Sequence, residues 1–379
     1  MSDINLVKKV MTFKAGKFVF SRKFGSEKLL NLKFETFIYN ETIADIPILP
    51  GMASRLDEEL ILRSIFGTAA IEGNPLREED VASILSDPEA AASTEKAERE
   101  ILNLKAAYAY AARTIASGSD FVLTEDVIRK AHEIITKGIE PGTDIPGRYR
   151  NELVKVGNAE HGGVYTPPKI LADIKALMKE FVEWINCEEV VAAGPFARAG
   201  LAHYHLALIH PFSDGNGRTA RLIEGMLLGA AGIKYLPLML SNYYYRNVDD
   251  YYRVFSKSIK SKENDISPFM EFFFVGAVES LKEIKQNISR IIRELVLRDY
   301  YAVLRSAKGI SQRQHDFMIS LLEHPQVVRL SHLFEKTPFR LLYGAVSQRT
   351  ALRDLQKLET MGLLTVDGKD YSLNHGVLG

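Results

Sequence analysis

The chain has one cysteine, Cys187, in 379 residues, so an intrachain disulfide is excluded. That usage fits a reducing compartment, and a lone cysteine of this kind reads as a small core residue. Net charge is also missing: 48 lysines and arginines face 48 aspartates and glutamates. Bulk electrostatics therefore give no reason to expect a nucleic acid or an anionic membrane as partner. No apolar run approaches the ~20 residues needed to span a bilayer. The opening MSDINLVKKVMTF lacks the apolar segment of a secretory signal. No His/Cys group has zinc spacing. There is no internal repeat or low-complexity tract. The expectation is a cytoplasmic protein with no membrane association.

What is present is ordinary globular composition, 46% hydrophobic and 25% charged, in a chain long enough for two or three domains. Residues 1–50 read as an irregular segment. GKFVF and KFETFIY are candidate strands, and IADIPILPG is an extended connector. From about Ser54 the period becomes helical, with Leu56, Leu60, Leu62 and Ile65 on an apolar face. Gly73, Asn74 and Pro75 stop that helix, so 51–115 reads as an N-terminal helical region. Helical patterns dominate 116–305, broken once by PGRYRNELVKVGNAEHGGVYTPP, which reads as a small β-hairpin around a Gly-rich turn. Residues 306–379 differ: three helical patterns precede LLTVDGKDYSL, whose Asp-Gly turn signals a hairpin. That order is the outline of a winged helix-turn-helix. The fold class is mainly α.

The densest chemistry is HPFSDGNGRTAR, His210 to Arg221, directly after the apolar LALI. The helix-forming TARLIEGMLL puts the glycines at a helix N-terminus, where free N–H groups and the dipole attract an anion. Arg218 and Arg221 are three apart and share a face. Two guanidiniums above an amide nest suggest a polyphosphate. Asp214 beside it can hold Mg²⁺ together with phosphate oxygens. His210, at the end of the preceding helix, can take a proton from a hydroxyl. A bare GNG would be an ordinary loop; the complete ordered set is not explained that way.

This stretch matches the HPFx(D/E)GNGRxxR signature of the Fic family without a mismatch, and the resemblance extends over roughly residues 50–300. It implies a Fic-type helical bundle with a β-hairpin flap, and an enzyme that moves AMP from ATP to a Tyr, Thr or Ser hydroxyl of a protein. By that resemblance His210 is the base, Asp214 holds Mg²⁺, and Gly215, Asn216 and Gly217 form the anion hole. Arg218 holds the γ-phosphate and Arg221 supports the phosphate chain. Thr68 to Asn74, TAAIEGN, resembles the family's (S/T)xxxE(G/N) inhibitory motif, with Thr68 and Glu72 as its ends; the resemblance implies that Glu72 pairs with Arg218. An acid at a helix C-terminus opposes the dipole, which a simple helix end leaves unexplained.

The segment Leu153–Gly157 resembles the family's flap, on whose edge a target protein pairs by its main chain. Val156, Gly157 and Asn158 are candidates to touch the nucleotide. Tyr251 and Tyr252 resemble a pair walling the adenine pocket, although tyrosines at helical spacing are as often core. Tyr243 to Tyr245 read as packing, and His203 and His205 as satisfied core or surface histidines. In the tail, Arg349, Arg353 and Lys357 recur every fourth residue; a phosphate-facing stripe and a solvated charged face are both open, Asp354 and Glu359 diluting the stripe. Self-modification and a homodimer are further expectations. The alternatives are a phosphotransferase or an AMP-removing enzyme on the same fold, and a nucleotide-sensing DNA-binding regulator. The phosphate-transferring branch lacks the Gly217-Arg218 pair present here.

Overall fold

The computed structural model describes residues 7–87, 95–116, 121–139 and 145–378. The first six residues of the opening segment therefore lie outside it. Two compact units divide the chain at Lys285 and Gln286.

The first unit opens with an antiparallel hairpin, β1 (Val7–Met11) and β2 (Lys17–Ser21), in the register Val7 to Ser21. Its turn is tied down by Asp173, whose carboxylate accepts the backbone N–H groups of Phe13 (2.8 Å), Lys14 (3.0 Å) and Ala15 (2.7 Å). Next comes α1 (Glu27–Ala44), capped by Ser26. Two expectations are corrected here: the segment is not irregular, and KFETFIY lies within α1 rather than in a strand. Its aromatic and β-branched residues favour strand locally, but Leu29, Thr36 and Ile43 recur at seven-residue spacing as one buried helical stripe.

Then follow α2 (Pro50–Ile71), α3 (Glu78–Ser86), α4 (Lys96–Ile115), α5 (Glu125–Thr136), α6 (Leu171–Ile185), the single turn α7 (Glu188–Val191), α8 (Pro195–Ile209), α9 (Asn216–Ala230), α10 (Leu240–Arg246) and α11 (Val248–Ile259). Helix α2 starts on Pro50 at its first turn, where the missing N–H costs nothing. It ends as the sequence indicates: Gly73 takes φ +85°, and the Asn74 N–H closes back on the Ala69 carbonyl at 3.1 Å. Helices α8 and α9 form the centre. Most residues of both are buried, and α2, α4 and α5 pack against α9.

The expected hairpin between α5 and α6 is reduced to one bridge. Val156 and Tyr165 exchange N–H···O bonds of 2.9 and 2.8 Å, and a glycine-rich turn replaces the rest of the ladder. The turn forces this: Gly157 sits at φ +88°, and a side chain there would meet the Gly163 carbonyl oxygen at 2.7 Å.

Helix α12 (Ser267–Ser306) contains the division between the units, so the second unit begins earlier in the chain than residue 306. That unit continues with α13 (Gln312–Glu323), α14 (His332–Glu335), α15 (Phe339–Tyr343), α16 (Gln348–Thr360) and the hairpin β3 (Leu364–Asp367) and β4 (Asp370–Leu373). Ser311 and Gln314 form a capping box at the start of α13. Phe317, Leu321, Phe339, Tyr343, Leu355 and Leu358 share one core. Arg349, Arg353 and Lys357 are exposed on α16. Asp354 does not dilute that stripe: it is buried and accepts hydrogen bonds from Arg313 (2.8 Å) and Gln314 (2.9 Å).

Candidate active site

The end of α8 sets the site's geometry. His210 closes that helix at φ 50°, ψ 60°, a left-handed conformation uncommon for a residue with a side chain. Three groups hold it there. Arg150 donates from Nε to the His210 carbonyl (2.7 Å), from Nη1 to Glu152 (2.6 Å) and from Nη2 to Pro168 (2.7 Å). Its own N–H reaches the Pro211 carbonyl at 3.0 Å. Asn216 folds back on the loop: its Oδ1 accepts the Phe212 N–H (2.9 Å) and its Nδ2 donates to the Phe212 carbonyl (2.8 Å). The third group is His132 of α5. Its ring stacks on Phe212 at 3.6 Å between centroids, Nδ1 accepts the Gly147 N–H (2.9 Å), and Nε2 donates to the Asp214 carbonyl (2.9 Å).

Burial, with the nearby charge of Arg150, brings the imidazole of His210 down to about 4. Backbone hydrogen bonding at Ala207 and the carboxylates of Glu72 and Asp214 oppose the shift without reversing it. At neutral pH the ring is uncharged and able to accept a proton. Burial likewise brings His132 down to about 4, which suits the neutral tautomer that its two hydrogen bonds require.

Helix α9 begins at Gly215, itself left-handed at φ 73°. The N–H groups of Asn216, Gly217 and Arg218 are in the first turn and have no carbonyl of their own helix to reach. The carboxylate of Glu72 lies against Gly217 in that turn. A Cβ built on Gly217 would collide with Glu72 Oε1, so the absent side chain makes room for an anion and Glu72 is that anion. Its Oε1 accepts from Arg221 Nη2 at 2.6 Å. Arg221 is completed by Thr68, whose hydroxyl accepts from Nε (2.8 Å) and whose carbonyl accepts from Nη2 (3.2 Å). Burial alone would pull Arg221 down, but Glu72 and the Tyr251 hydroxyl more than offset it and the guanidinium is held above its usual range.

The expected Glu72–Arg218 pair is therefore corrected to Glu72–Arg221. Arg218 instead points to Asp214, at 2.9 Å from Nη2, and to Glu100 of α4, at 3.2 Å from Nη1. The physical reason is helical phase. Both arginines share a broad face of α9, but α2 crosses it at Arg221, whereas the Arg218 side faces α4.

Asp214 is half-exposed. Its Oδ1 accepts the Gly215 N–H at 2.6 Å and its Oδ2 the Arg218 guanidinium. Burial would raise its carboxyl, but those two partners together hold it below the usual carboxylate range. Among the described residues no group of three His, Cys, Asp or Glu side chains could hold a metal. One ionised, partly exposed carboxylate beside a polyanion site nevertheless fits Mg²⁺, which takes one or two protein oxygens and completes its shell with phosphate and water.

A cavity of about 480 Å³ lies over this helix start. Of the expected residues, Glu72, Val156, Gly157, Asn158, His210, Gly217, Arg221, Tyr251 and Tyr252 line it. Gly215, Asn216, Arg218, Asp214 and Thr68 are not on its wall. Tyr251 is buried, with its hydroxyl 2.8 Å from His203 Nε2, and Tyr252 donates to the Ile71 carbonyl at 3.2 Å. His203 is a satisfied core histidine, its Nδ1 2.6 Å from Glu224. His205 Nε2 lies 2.8 Å from the Ser21 carbonyl and 3.2 Å from the Ser21 nitrogen. The flap turn is fastened to α11: Ser256 donates to the Gly162 carbonyl at 2.8 Å, and His161 lies 3.0 Å from Asp249.

His132, Arg150 and Glu100 are the site residues that sequence reasoning missed. A lone histidine in an amphipathic helix, an arginine in a loop and a glutamate in a charged helix carry no local signal.

Loop, helix start and flap define a class, a helical domain that gathers a carboxylate, two arginines and a histidine at a buried helix N-terminus. Residues 122–228 match the Fic/DOC family. The chain is 32% identical over 233 residues, 61% of its length, to a protein from Culex quinquefasciatus named "Protein adenylyltransferase Fic". A protein of the same name from Aedes aegypti is 33% identical over 219 residues, 58% of this chain. The chain spans 43% and 40% of those two relatives. A Fic family protein from Desulfovibrio desulfuricans superposes with a TM-score of 0.56 at 20% identity, covering 92% of this chain and 96% of that one. A Fic domain containing signaling protein from Bacteroides thetaiotaomicron gives 0.53 at 22%, covering 68% and 94%. At these identities the two structures speak for the fold.

Proposed function

We propose that the protein transfers AMP from ATP to a Tyr, Thr or Ser hydroxyl of a protein and releases pyrophosphate. The observation that carries this reading is a carboxylate, Glu72, packed against Gly217 in the first turn of α9 and bound by Arg221, in one cavity with an uncharged His210. A site that stabilises this internal anion is built for an external one. The curated relatives' printed name supplies the group transferred.

In this reading the triphosphate lies over the first turn of α9, with its chain against Asn216 and Gly217. Arg221, once free of Glu72, takes the phosphate contact expected of Arg218. The base enters the space between Tyr251, Tyr252 and the flap. Asp214 would hold Mg²⁺, which would supply positive charge to the phosphates. The target's hydroxyl approaches His210, which accepts its proton as oxygen attacks the α-phosphorus and the bond to pyrophosphate breaks. Alignment and charge neutralisation supply most of the acceleration. The target segment pairs with the flap at Val156, whose single bridge leaves neighbouring backbone free to bond. Glu72 competes with the phosphate for Arg221, which makes the resting protein autoinhibited.

The tail's element order and the added bridge of Val328 to Tyr371 support a winged helix. The absence, among the described residues, of any helix long and apolar enough to cross a membrane and the single cysteine support a cytoplasmic setting.

Incubation with α-labelled and γ-labelled ATP tests the reaction. Label retained on protein from the α-position alone is the expected result. Retention from the γ-position means phosphotransfer, and no retention by either wild type or Glu72→Gly with any hydroxyl-bearing target, itself included, sinks the reading.

A further inference from the structure

Arg218 is buried and is not on the wall of the cavity described above, yet two carboxylates converge on it. One is Asp214 in the catalytic loop. The other, Glu100, stands on α4, and the mechanism above gives it no task. Glu100 is itself held from the far side: Asn74 Nδ2 donates to its Oε2 at 2.8 Å and to the Ala97 carbonyl at 3.0 Å, while Asn74 Oδ1 accepts the Leu76 N–H at 3.2 Å. Asn74 lies two residues beyond Glu72, in the turn that ends α2. A continuous line of polar contacts thus runs from the foot of α2 to Asp214.

We propose that Glu100 is a positioning residue for the metal–nucleotide complex: anchored by Asn74, it fixes the Arg218 guanidinium, and Arg218 in turn aims the carboxylate of Asp214. The inference rests on the reading above that Asp214 holds Mg²⁺. Three features support it. Asp214 is half-exposed and attached to its backbone by one rotatable stem, so its direction depends on its partners. Its Oδ1 is claimed by the Gly215 N–H, and Oδ2 is set by Arg218. Arg218 makes only one well-aimed side-chain hydrogen bond, the one to Asp214. Its Nε and Nη1 have no hydrogen-bond partner among the described residues, so the 3.2 Å approach of Glu100 acts by charge. Removing that charge leaves the guanidinium with one carboxylate and freedom to turn. Partners that orient a metal-ligating carboxylate change metal affinity by ~10- to 100-fold when lost. The same line also makes the ending of α2 a shared support. Glu72 acts on Arg221 directly, and Asn74 acts on Asp214 through two intermediaries.

The full-length protein, ADP and Mn²⁺ test this, with free Mn²⁺ read by electron paramagnetic resonance. ADP carries the α- and β-phosphates and does not need the arginine that Glu72 withholds. Glu100→Gln keeps the side chain's shape and should weaken Mn²⁺ binding to the protein–ADP complex about tenfold. Its affinity for ADP without metal should match wild type. Asn74→Asp keeps the acceptor for Leu76, removes the donor to Glu100, and should move Mn²⁺ affinity in the same direction by a smaller factor. Unchanged Mn²⁺ affinity in Glu100→Gln overturns the proposal. So does an equal change in metal-free ADP binding, which would mean that Glu100 acts on the phosphates. A wild-type protein that forms no Mn²⁺–ADP complex overturns the metal-nucleotide reading and this inference with it; a normal wild-type complex, with an unaltered variant, overturns this inference alone.

Discussion

Two glycine-bearing loops face the same cavity and are built in opposite ways. The loop from His210 to Gly215 is gripped by Arg150, Asn216 and His132, and the carbonyls of His210, Pro211, Phe212 and Asp214 all have partners. The flap turn from Gly157 to Gly163 has one bridge at its base and is fastened by side chains of α11. Buried polar groups are satisfied here, which holds the first loop firmly in place. The flap's backbone meets water, which can replace any partner it lacks. The difference allots rigidity to the atoms that must be placed within a fraction of an ångström. Adaptability is left to the surface that would receive a target chain.

The strongest way to break this contrast is at the rigid loop. His210→Ala should lower AMP transfer at least ~10²-fold while ATP affinity survives, since the nest and arginines hold the phosphates. An equal loss in binding and rate would show instead that the side chain supports the loop. Next in size is Glu72→Gly, which should raise the initial transfer rate roughly tenfold by freeing Arg221. Glu72→Gly combined with Arg221→Ala should show no gain, and a double variant as fast as the single would disprove competition for that arginine. The gain should be specific to ATP; ADP, without a γ-phosphate, should bind both proteins alike.

The flap sharpens the comparison with a smaller effect. Gly157→Ala strains a left-handed residue and meets the Gly163 carbonyl, so KM for a protein target should rise a few-fold, roughly matching ~1 kcal/mol of strain. Its ATP affinity should stay near wild type; a matching loss there would mean that the flap clamps nucleotide rather than target. A separate effect is on acid stability. His132, His205 and His210 are held at about 4 in the fold against an ordinary value near 6.5. Between those values the unfolded chain binds protons that the folded chain refuses. Stability is therefore complete above about pH 6.5 and declines as pH falls toward about 4. Unfolding midpoints at pH 7.5, 6 and 5 should fall in that order, and a flat series would mean that these rings are not buried neutral.

Much of the site was legible because its chemistry is local. His210, Asp214, the glycines and both arginines lie within one run of twelve residues, so spacing alone places them at a helix start. The end of α2 was legible for the same reason, through Gly73 and Asn74. The N-terminal segment was misread because KFETFIY has strand-forming residues in a helix. Its buried spacing at Leu29, Thr36 and Ile43 becomes visible only when the surface it packs on is known. The flap reads as a fuller hairpin than it is, since a sequence shows alternation but not how much backbone a turn of three glycines and neighbours consumes.

By itself the sequence determined the helical class, the clustering of His210, Asp214, the glycines and two arginines around the start of α9, and an acid at the end of α2 that needed a distant partner. Which arginine that partner is, Arg221 rather than Arg218, only the tertiary structure decided. So too with His132, Arg150 and Glu100, which reach the loop from other helices and turns. Local spacing fixes which side chains share a face of one helix. The rotation and crossing of a second helix decide which of them it meets, and that depends on packing summed over the whole core.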